Sequence, residues 1–243
     1  METTFVLVHS PSVGPSTWAP VAESLARRGH AVVVPDLTGI STGGPPYWPR
    51  VVAAVRDAVV RDAVVRDAGV GDAGPGSPLV LVVHSNAGFF LPAIKEGLGE
   101  RVVACVFTDA HIPPPAGLVR VAEEEFLPFL RGLAGPDGVL PRWTDWWDEE
   151  DVAAMLPDPA VRVRVTAEQP RLPLDYYTQS VPVPAGWDEV RCSCLWFGPP
   201  YDGVAEEAGR RGWPVTRLPG LHLHQLVEPE AVTDALLKLS RKS

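Results

Sequence analysis

The sequence predicts an α/β fold in which a mostly parallel sheet is flanked by helices. Short apolar runs alternate with longer helical stretches along most of the chain, an order typical of parallel sheets covered on both faces. Strands are predicted at Thr4–Val8, Ala31–Val34, Leu79–Val83, Val102–Phe107, Cys194–Phe197 and Val215–Leu218. Helices are predicted at Thr17–Arg28, about Trp48–Ala68, Ala87–Leu98, Gly203–Arg211 and Pro229–Leu239.

The composition of the chain limits the classes of protein to which it can belong. The chain has 243 residues, of which 46% are hydrophobic, enough for one α/β domain with a proper core. A net charge of −9, without a Lys/Arg cluster, argues against a nucleic-acid partner. No apolar run approaches the ~20 residues of a spanning helix, and no secretory leader is apparent before the first strand. We therefore expect a cytoplasmic protein without a membrane partner, and a homodimer is left open.

The three cysteines are expected to pack in the core. Cys105, Cys192 and Cys194 lie in or beside predicted strands, and no second cysteine pair accompanies the closely spaced Cys192 and Cys194. A zinc site needs a larger set of ligands, so no metal is expected.

Two segments depart from the alternation of strands and helices. Residues 56–70 read RDAVVRDAVVRDAGV, and five residues advance a helix by about 140°, so the repeat cannot keep its valines on one face. We interpret it as a duplicated extension of a surface helix. Residues 111–187 have many prolines, helical stretches near 117–134 and 149–168, and no strand pattern. We interpret them as a helical lid inserted into a core formed by residues 1–110 and 188–243, within a single domain.

The stretch VVHSNAG, residues 82–88, places a serine between a strand and a helix. Ser85 follows a β-branched apolar run and precedes small residues, a context typical of a nucleophile elbow. The next amide, that of Asn86, lies at a helix N-terminus and is suited to an oxyanion. The usual G-x-S-x-G pattern is incomplete, because Val83 and Ala87 take the glycine positions. On these residues alone, a serine that merely caps the helix remains the alternative.

Polar residues follow several of the predicted strands. His9, Asp36, Ser85, Asp109 and Asp202 all fall at or just after strand ends. Parallel sheets bind ligands beyond the carboxyl ends of their strands, so we expect a site there.

Four segments in order carry a resemblance to a known family. They are FVLVHS followed by Trp18, GHAVVVPDLTG at 29–39, VVHSNAG, and LPGLHLHQLVEPEAV at 218–232. With these segments the chain resembles the α/β-hydrolase superfamily over nearly its full length, and most of all its small lidded esterases and hydroxynitrile-lyase-like members. The resemblance implies an α/β-hydrolase fold without a cofactor, with Ser85 as nucleophile and His222 as general base. An imidazole is needed because a serine hydroxyl is a weak nucleophile until its proton is taken.

The resemblance leaves the other site residues less determined. The acid is either Asp202, which is slightly preferred although it lies one residue later than the usual Gly-x-x-Asp spacing, or Asp109 one strand earlier. Alternatively, Asp202 caps the helix that follows it, and Asp109 is an ordinary polar residue of a loop. His224, two residues after His222, is the alternative for the general base, and we expect it instead to be a pocket or packing residue. His9 and His84 are expected to support the loops beneath the site, and His111 opens the lid.

The oxyanion loop departs from the family pattern. Its second donor is usually the amide two residues after the first-strand histidine, and here that residue is Pro11, which has no N–H. The amides of Ser12 or Val13, or the hydroxyls of Ser10 and Ser12, are the candidate replacements.

The lid indicates the substrate class. The stretch RWTDWWDEE contains Trp143, Trp146 and Trp147, and Tyr176 and Tyr177 follow in LPLDYYTQ. Such aromatic residues indicate an apolar or aromatic acyl group. We therefore predict a serine hydrolase acting on an ester or thioester of a small to medium apolar molecule. A lyase-type acid–base catalyst on the same scaffold is the alternative that Pro11 favours, and a degenerate small-molecule-binding protein is a third.

Overall fold

A computed structural model describes residues 3–68 and 76–241 of the chain. The strands within these ranges are β1 (Thr4–Val8), β2 (Ala31–Val33), β3 (Leu79–Ser85), β4 (Val102–Ala110), β5 (Gly117–Arg120), β6 (Ser180–Val183), β7 (Arg191–Trp196) and β8 (Val215–Arg217). The helices are α1 (Ala19–Arg27), α2 (Trp48–Ala68), α3 (Leu91–Leu98), α4 (Leu127–Leu133), α5 (Glu149–Met155), α6 (Pro159–Glu168), α7 (Leu174–Thr178), α8 (Asp202–Arg210), α9 (His224–Val227) and α10 (Pro229–Ser240).

Six of the described strands form one sheet in the order β2-β1-β3-β4-β7-β8, and every pairing in it is parallel. The sequence of strand β3 begins with a continuous apolar run because both faces of the strand are buried. Leu81 and Val83 pack into the cluster on one face of the sheet, whereas Val80 and Val82 pack into the cluster on the other. A strand buried on both faces reads as a continuous apolar run. The predicted fold class is therefore confirmed.

The strands that lead to the site are longer than predicted. Strand β3 continues to Ser85 and β4 to Ala110, so Ser85 and Asp109 lie on the ends of neighbouring strands. The helix predicted from Ala87 begins as a 3₁₀ turn, Asn86–Phe90, and becomes α-helical at Leu91.

The expectation of a wholly helical insertion at 111–187 is wrong in one respect. Strands β5 and β6 pair antiparallel across about 60 residues of intervening chain, and periodicity along one segment cannot reveal so distant a partner. The predicted helix at 117–134 is reduced to α4, after a strand and a 3₁₀ turn. The stretch 149–168 divides into α5 and α6 because Pro159 begins a new helix, capped by the Asp158 carboxylate.

The insertion shares the core of the sheet. Most of its buried apolar residues, among them Val121, Leu130, Leu172 and Val181, belong to the same cluster as Leu81 of β3, whereas Val152, Leu156 and Val165 form a separate cluster with Leu223. The three cysteines are buried and free. Within residues 3–68 and 76–241 we find no helix with the length and apolar character that crossing a membrane requires.

Helix α2 contains most of the five-residue repeat. Val55 and Val59 are buried on the sheet, whereas Val64 and Val65 are exposed, because the repeat rotates them away from the sheet. The last two residues of the repeat, 69 and 70, lie outside the described residues.

The repeat provides a matched pair for a stability measurement. Val59 is 2% exposed and Val64 is 62% exposed, although they hold the same position in successive repeats. We expect Val59→Ala to lower the free energy of unfolding by about 2 kcal/mol, since it leaves a cavity in the core. Val64→Ala should change it by less than about 0.5 kcal/mol. Chemical denaturation measures both, and equal losses would contradict the described packing of α2.

Candidate active site

Ser85 adopts a backbone conformation that non-glycine residues rarely use. Its φ of 58° and ψ of −129° turn the chain sharply between β3 and the 3₁₀ turn that follows. Gly88 lets the turn that follows lie close to the end of β4, because a Cβ there would lie 2.0 Å from the carbonyl oxygen of His111. The side chain of Val83 points away into the core, so it does not obstruct the turn. The strained serine is thus held at the carboxyl end of the sheet.

A line of hydrogen bonds joins Ser85 to β4. The Ser85 hydroxyl lies 2.9 Å from Nε2 of His222, and Nδ1 of the same imidazole lies 3.0 Å from Oδ2 of Asp109. An ionised carboxylate can only accept, so Nδ1 carries the proton and Nε2 accepts from the serine. The other oxygen of Asp109 accepts from the amide of Phe197 at 2.8 Å. Three segments far apart in sequence therefore meet in one chain of hydrogen bonds.

Aromatic contacts fix the imidazole of His222. Its ring stacks on Tyr201, with centroids 4.9 Å apart and planes within 5°, and contacts the ring of His84 at 4.5 Å. Its backbone carbonyl accepts from Nε2 of His84 at 2.9 Å. Trp143 of the insertion lies 6.1 Å away. The ring therefore has little freedom to turn away from Ser85.

Burial sets the protonation states of the site. It raises the pKa of Asp109 to about 6, against the effect of the Phe197 amide, which lowers that pKa. It lowers the pKa of His222 to about 3, and His111 adds to this effect. Burial is also the main cause that lowers the pKa of His84 to about 3. At neutral pH the imidazole of His222 is therefore neutral, and the carboxylate of Asp109 is charged.

Asp202, the acid slightly preferred from the sequence, does not make this contact. It is an exposed residue that begins α8, where a carboxylate interacts favourably with the helix N-terminus. Asp109 takes the contact with His222 because β4 continues far enough to carry it to the end of the sheet. Of the two candidates predicted from the sequence, the geometry favours Asp109.

In the loop after β1, the backbone amides of Ser12 and Val13 donate hydrogen bonds within the loop itself. The amide of Val13 donates to the carbonyl of Ser10 at 3.0 Å, and the amide of Ser12 lies 3.3 Å from the Ser10 hydroxyl. Pro11 is buried in the turn and is not among the described residues that line the cavity, whereas Ser10, Ser12 and Val13 are. The hydroxyl of Ser12 lies 2.9 Å from that of Tyr177. Neither candidate backbone donor is free in this loop conformation.

Asn86 connects the turn after Ser85 to the insertion. Its side-chain nitrogen donates to the carbonyl of Val121 at 2.9 Å, and its side-chain oxygen accepts from the hydroxyl of Tyr176. It is the first residue of the 3₁₀ turn, so its amide is one of the N–H groups that a helix leaves without an internal partner.

A cavity of about 1120 Å³ lies over Ser85 and His222. Its apolar lining comprises Val13, Phe89, Ile112, Val121, Ala122, Phe126, Trp143, Trp146, Trp147, Ala154, Met155, Val204, Leu221 and Leu223. All three tryptophans singled out from the sequence therefore face it. Glu123, Asp151 and Glu207 also line it, and among the described lining residues there is no lysine or arginine. The cavity is large and apolar enough for a small to medium organic molecule.

His9 and His224 lie in different surroundings. His9 is buried beneath the site, donating from Nδ1 to the carbonyl of Ser10 and accepting at Nε2 from the amide of Leu37. His224 packs against Gly220 and lies 3.4 Å from Glu228.

His111 lines the cavity, where its ring stacks on Phe89 at 4.5 Å and lies 3.6 Å from Glu123.

Tyr201 was not identified from the sequence. The signal was present, because Tyr201 occupies the Gly-x-x-Asp position that Asp202 misses by one residue.

The profile of the alpha/beta hydrolase family matches residues 5–235, and the chain belongs to that family. It is therefore an enzyme of hydrolase type, as the sequence predicted. A search of curated protein sequences found no match.

Solved structures of other proteins are similar to this structure in fold. An extracellular alpha/beta-hydrolase from a Paenibacillus species has a TM-score of 0.71 at 16% identity, covering 99% of this chain and 100% of that one. Polyneuridine aldehyde esterase has a TM-score of 0.67 at 16% identity, with coverage of 99% and 100%. A histidine-to-alanine variant of tomato methylketone synthase I, complexed with β-ketoheptanoate, has a TM-score of 0.68 at 15% identity. The match covers 99% of this chain and 98% of that one. At these identities the likeness establishes the fold alone.

Proposed function

We propose that the enzyme is a serine esterase for esters or thioesters of small to medium apolar molecules, with Ser85, His222 and Asp109 as its triad. One observation carries the proposal: the line of hydrogen bonds from Ser85 through His222 to Asp109 at the base of an apolar cavity. The neighbour named polyneuridine aldehyde esterase is consistent with ester chemistry on this fold.

The proposed reaction follows from the positions of these groups. Ser85 Oγ attacks the carbonyl carbon while its proton passes to Nε2 of His222, and Asp109 stabilises the imidazolium that forms. The amide of Asn86 donates to the oxyanion. The bond to the leaving oxygen or sulfur then breaks, and His222 returns the proton to the leaving group. Water then attacks the acyl carbon while His222 takes its proton. The bond from that carbon to Ser85 Oγ breaks, His222 returns the proton to Oγ, and the acid is released.

The cavity gives the proposal its substrate class. Trp143, Trp146 and Trp147 form a contiguous aromatic wall, with neighbouring ring centroids 6.2 and 6.5 Å apart. An acyl group with an aliphatic or aromatic body would bury its apolar surface there, at about 25 cal/mol per Å². The carboxylates of Glu123 and Asp151 disfavour anionic substrates.

One observation favours a second candidate function. The amides of Ser12 and Val13 donate within their own turn, and Pro11 has none, so this loop leaves no backbone amide free to be the second oxyanion donor of an ordinary esterase. A lyase-type reaction, with Ser85 and His222 as acid and base and no acyl-enzyme, does not need that donor. The similarity to a methylketone synthase fits this candidate.

Trapping an acyl-enzyme separates the two functions. The protein should react with a fluorophosphonate at Ser85, and a rapidly quenched reaction with a p-nitrophenyl ester should add one acyl group there. Ser85→Ala should abolish labelling and turnover, because the nucleophile is lost. Intact-protein and peptide mass spectrometry locate the adducts. Ser180→Ala, at an exposed position on β6, is the control. A fully active Ser85→Ala variant, or a labelled protein that never forms the acyl adduct, would refute the esterase proposal.

Two aspartates can be compared by the same conservative substitution. We expect Asp109→Asn to lower kcat by about 10⁴-fold, because an amide neither fixes the tautomer of His222 nor stabilises its charged form. Asp202→Asn should retain most of the activity, since Asp202 is exposed on α8. Steady-state kinetics with a p-nitrophenyl ester measure both. Comparable losses in the two variants would exclude Asp109 as the acid of the triad.

The pH profile should depend on Asp109. Its pKa is raised to about 6, so its charge is present above that pH and is lost as pH falls through it. We expect kcat/KM to be flat between pH 7 and 9 and to fall about tenfold per unit below about 6. Circular dichroism at each pH is needed, because buried His9 and His84 have lowered pKa values and acid therefore favours unfolding. An acid limb that persists unchanged in Asp109→Asn would assign the titration to another group.

A further inference from the structure

The loop after β7 brings a second side chain to the candidate nucleophile. The hydroxyl of Tyr201 lies 3.4 Å from Ser85 Oγ, and its ring stacks on His222. Tyr201 is buried and lines the cavity, and the ring of His111 contacts its edge at 5.3 Å. No step of the proposed acylation requires this hydroxyl.

The order of strands decides on which side of Ser85 the hydroxyl lies. Strand β1 flanks β3 on one side and carries the Ser10–Val13 loop, whereas β4 and β7 lie on the other side. The residues after β7 therefore approach Ser85 from the side of Asp109 and His222. Because His222 has to reach both Ser85 Oγ and the departing oxygen, this is the side on which the leaving group lies.

We propose that Tyr201 is a catalytic residue whose hydroxyl donates a hydrogen bond to the leaving-group oxygen during acylation, an inference that rests on the proposed esterase function. When the tetrahedral intermediate collapses, the bond between carbon and the leaving oxygen breaks and its electron pair moves onto that oxygen. His222 gives this oxygen the proton taken from Ser85, and the alcohol departs. Tyr201 keeps its own proton and stabilises the negative charge while it develops.

The surroundings of Tyr201 support a donor rather than a base. Burial raises the pKa of its hydroxyl, against the effect of Ser85, so the phenol remains protonated at working pH. Ser85 directs its own proton to His222 and has lone pairs free to accept from Tyr201. A separation of 3.4 Å is long for a hydrogen bond, and such contacts in free enzymes often tighten only when substrate is bound. The stacked ring holds the hydroxyl beside the reacting atoms.

The dependence on leaving group tests the proposal. We compare Tyr201→Phe with the unmodified enzyme on the methyl and p-nitrophenyl esters of one acid, chosen as the best substrate in a panel. kcat/KM reports acylation for both esters. It should fall by about 10²-fold for the methyl ester, whose alkoxide is a poor leaving group, and by less than about threefold for the p-nitrophenyl ester. Phenylalanine keeps the ring stacked on His222.

Tyr47→Phe is the matched control. Tyr47 is also a buried tyrosine, but its hydroxyl bonds to Asp175 and it is not among the described residues that line the cavity. Both esters should react at unchanged rates in this variant. Equal losses for both esters in Tyr201→Phe would place the hydroxyl at the oxyanion or in a structural role and overturn the proposal. Unchanged rates would overturn it as well. Failure of the unmodified enzyme to hydrolyse either ester would instead refute the esterase function itself.

Discussion

The position of the His222 imidazole depends on contacts from every part of the site. Ser85 and Asp109 each occupy one ring nitrogen, and the rings of His84 and Tyr201 pack against it. His84 also bonds to its backbone carbonyl. Each partner lies at or just after the end of β3, β4 or β7, so the parallel sheet is what brings them within reach of one ring. A change in the register of any of these strands would remove at least one of the contacts.

Burial of the Asp109 carboxylate beside this ring has an electrostatic cost that its hydrogen bonds partly offset. The carboxylate of Asp109 is almost completely buried, and a buried charge is tolerated only where it is well hydrogen-bonded. It accepts from His222 and from the amide of Phe197, yet its pKa is still raised to about 6. The buried Nδ1 of His84 has no partner among the described residues, as expected for a neutral imidazole protonated on Nε2. At neutral pH the charged carboxylate of Asp109 therefore lies beside the neutral imidazoles of His222 and His84.

Local pattern predicted the sheet and the helices that flank it because each strand is a compact apolar run and longer helical stretches separate these runs along the chain. The same pattern missed the pairing of β5 with β6, because that pairing joins segments distant in sequence. The choice between Asp109 and Asp202 was undetermined for a related reason: both follow strands, and only the length of β4 distinguishes them. Tyr201 was missed because the spacing drew attention to the next residue, Asp202, and stacking on His222 is a tertiary contact.

The insertion contributes to the site as well as to the cavity above it. Tyr176 and Tyr177 of α7 are buried, and their hydroxyls contact the side chains of Asn86, which follows Ser85, and of Ser12, in the loop after β1. Groups from the insertion thus hold the side chains of Asn86 and Ser12, while β4 and the segment after β7 carry residues that contact His222. Because the tryptophan wall belongs to the same insertion, a displacement of the insertion would change the shape of the cavity and the positions of Asn86 and Ser12 together. Substrate fit and the geometry of the site are therefore coupled through one packed segment rather than set independently.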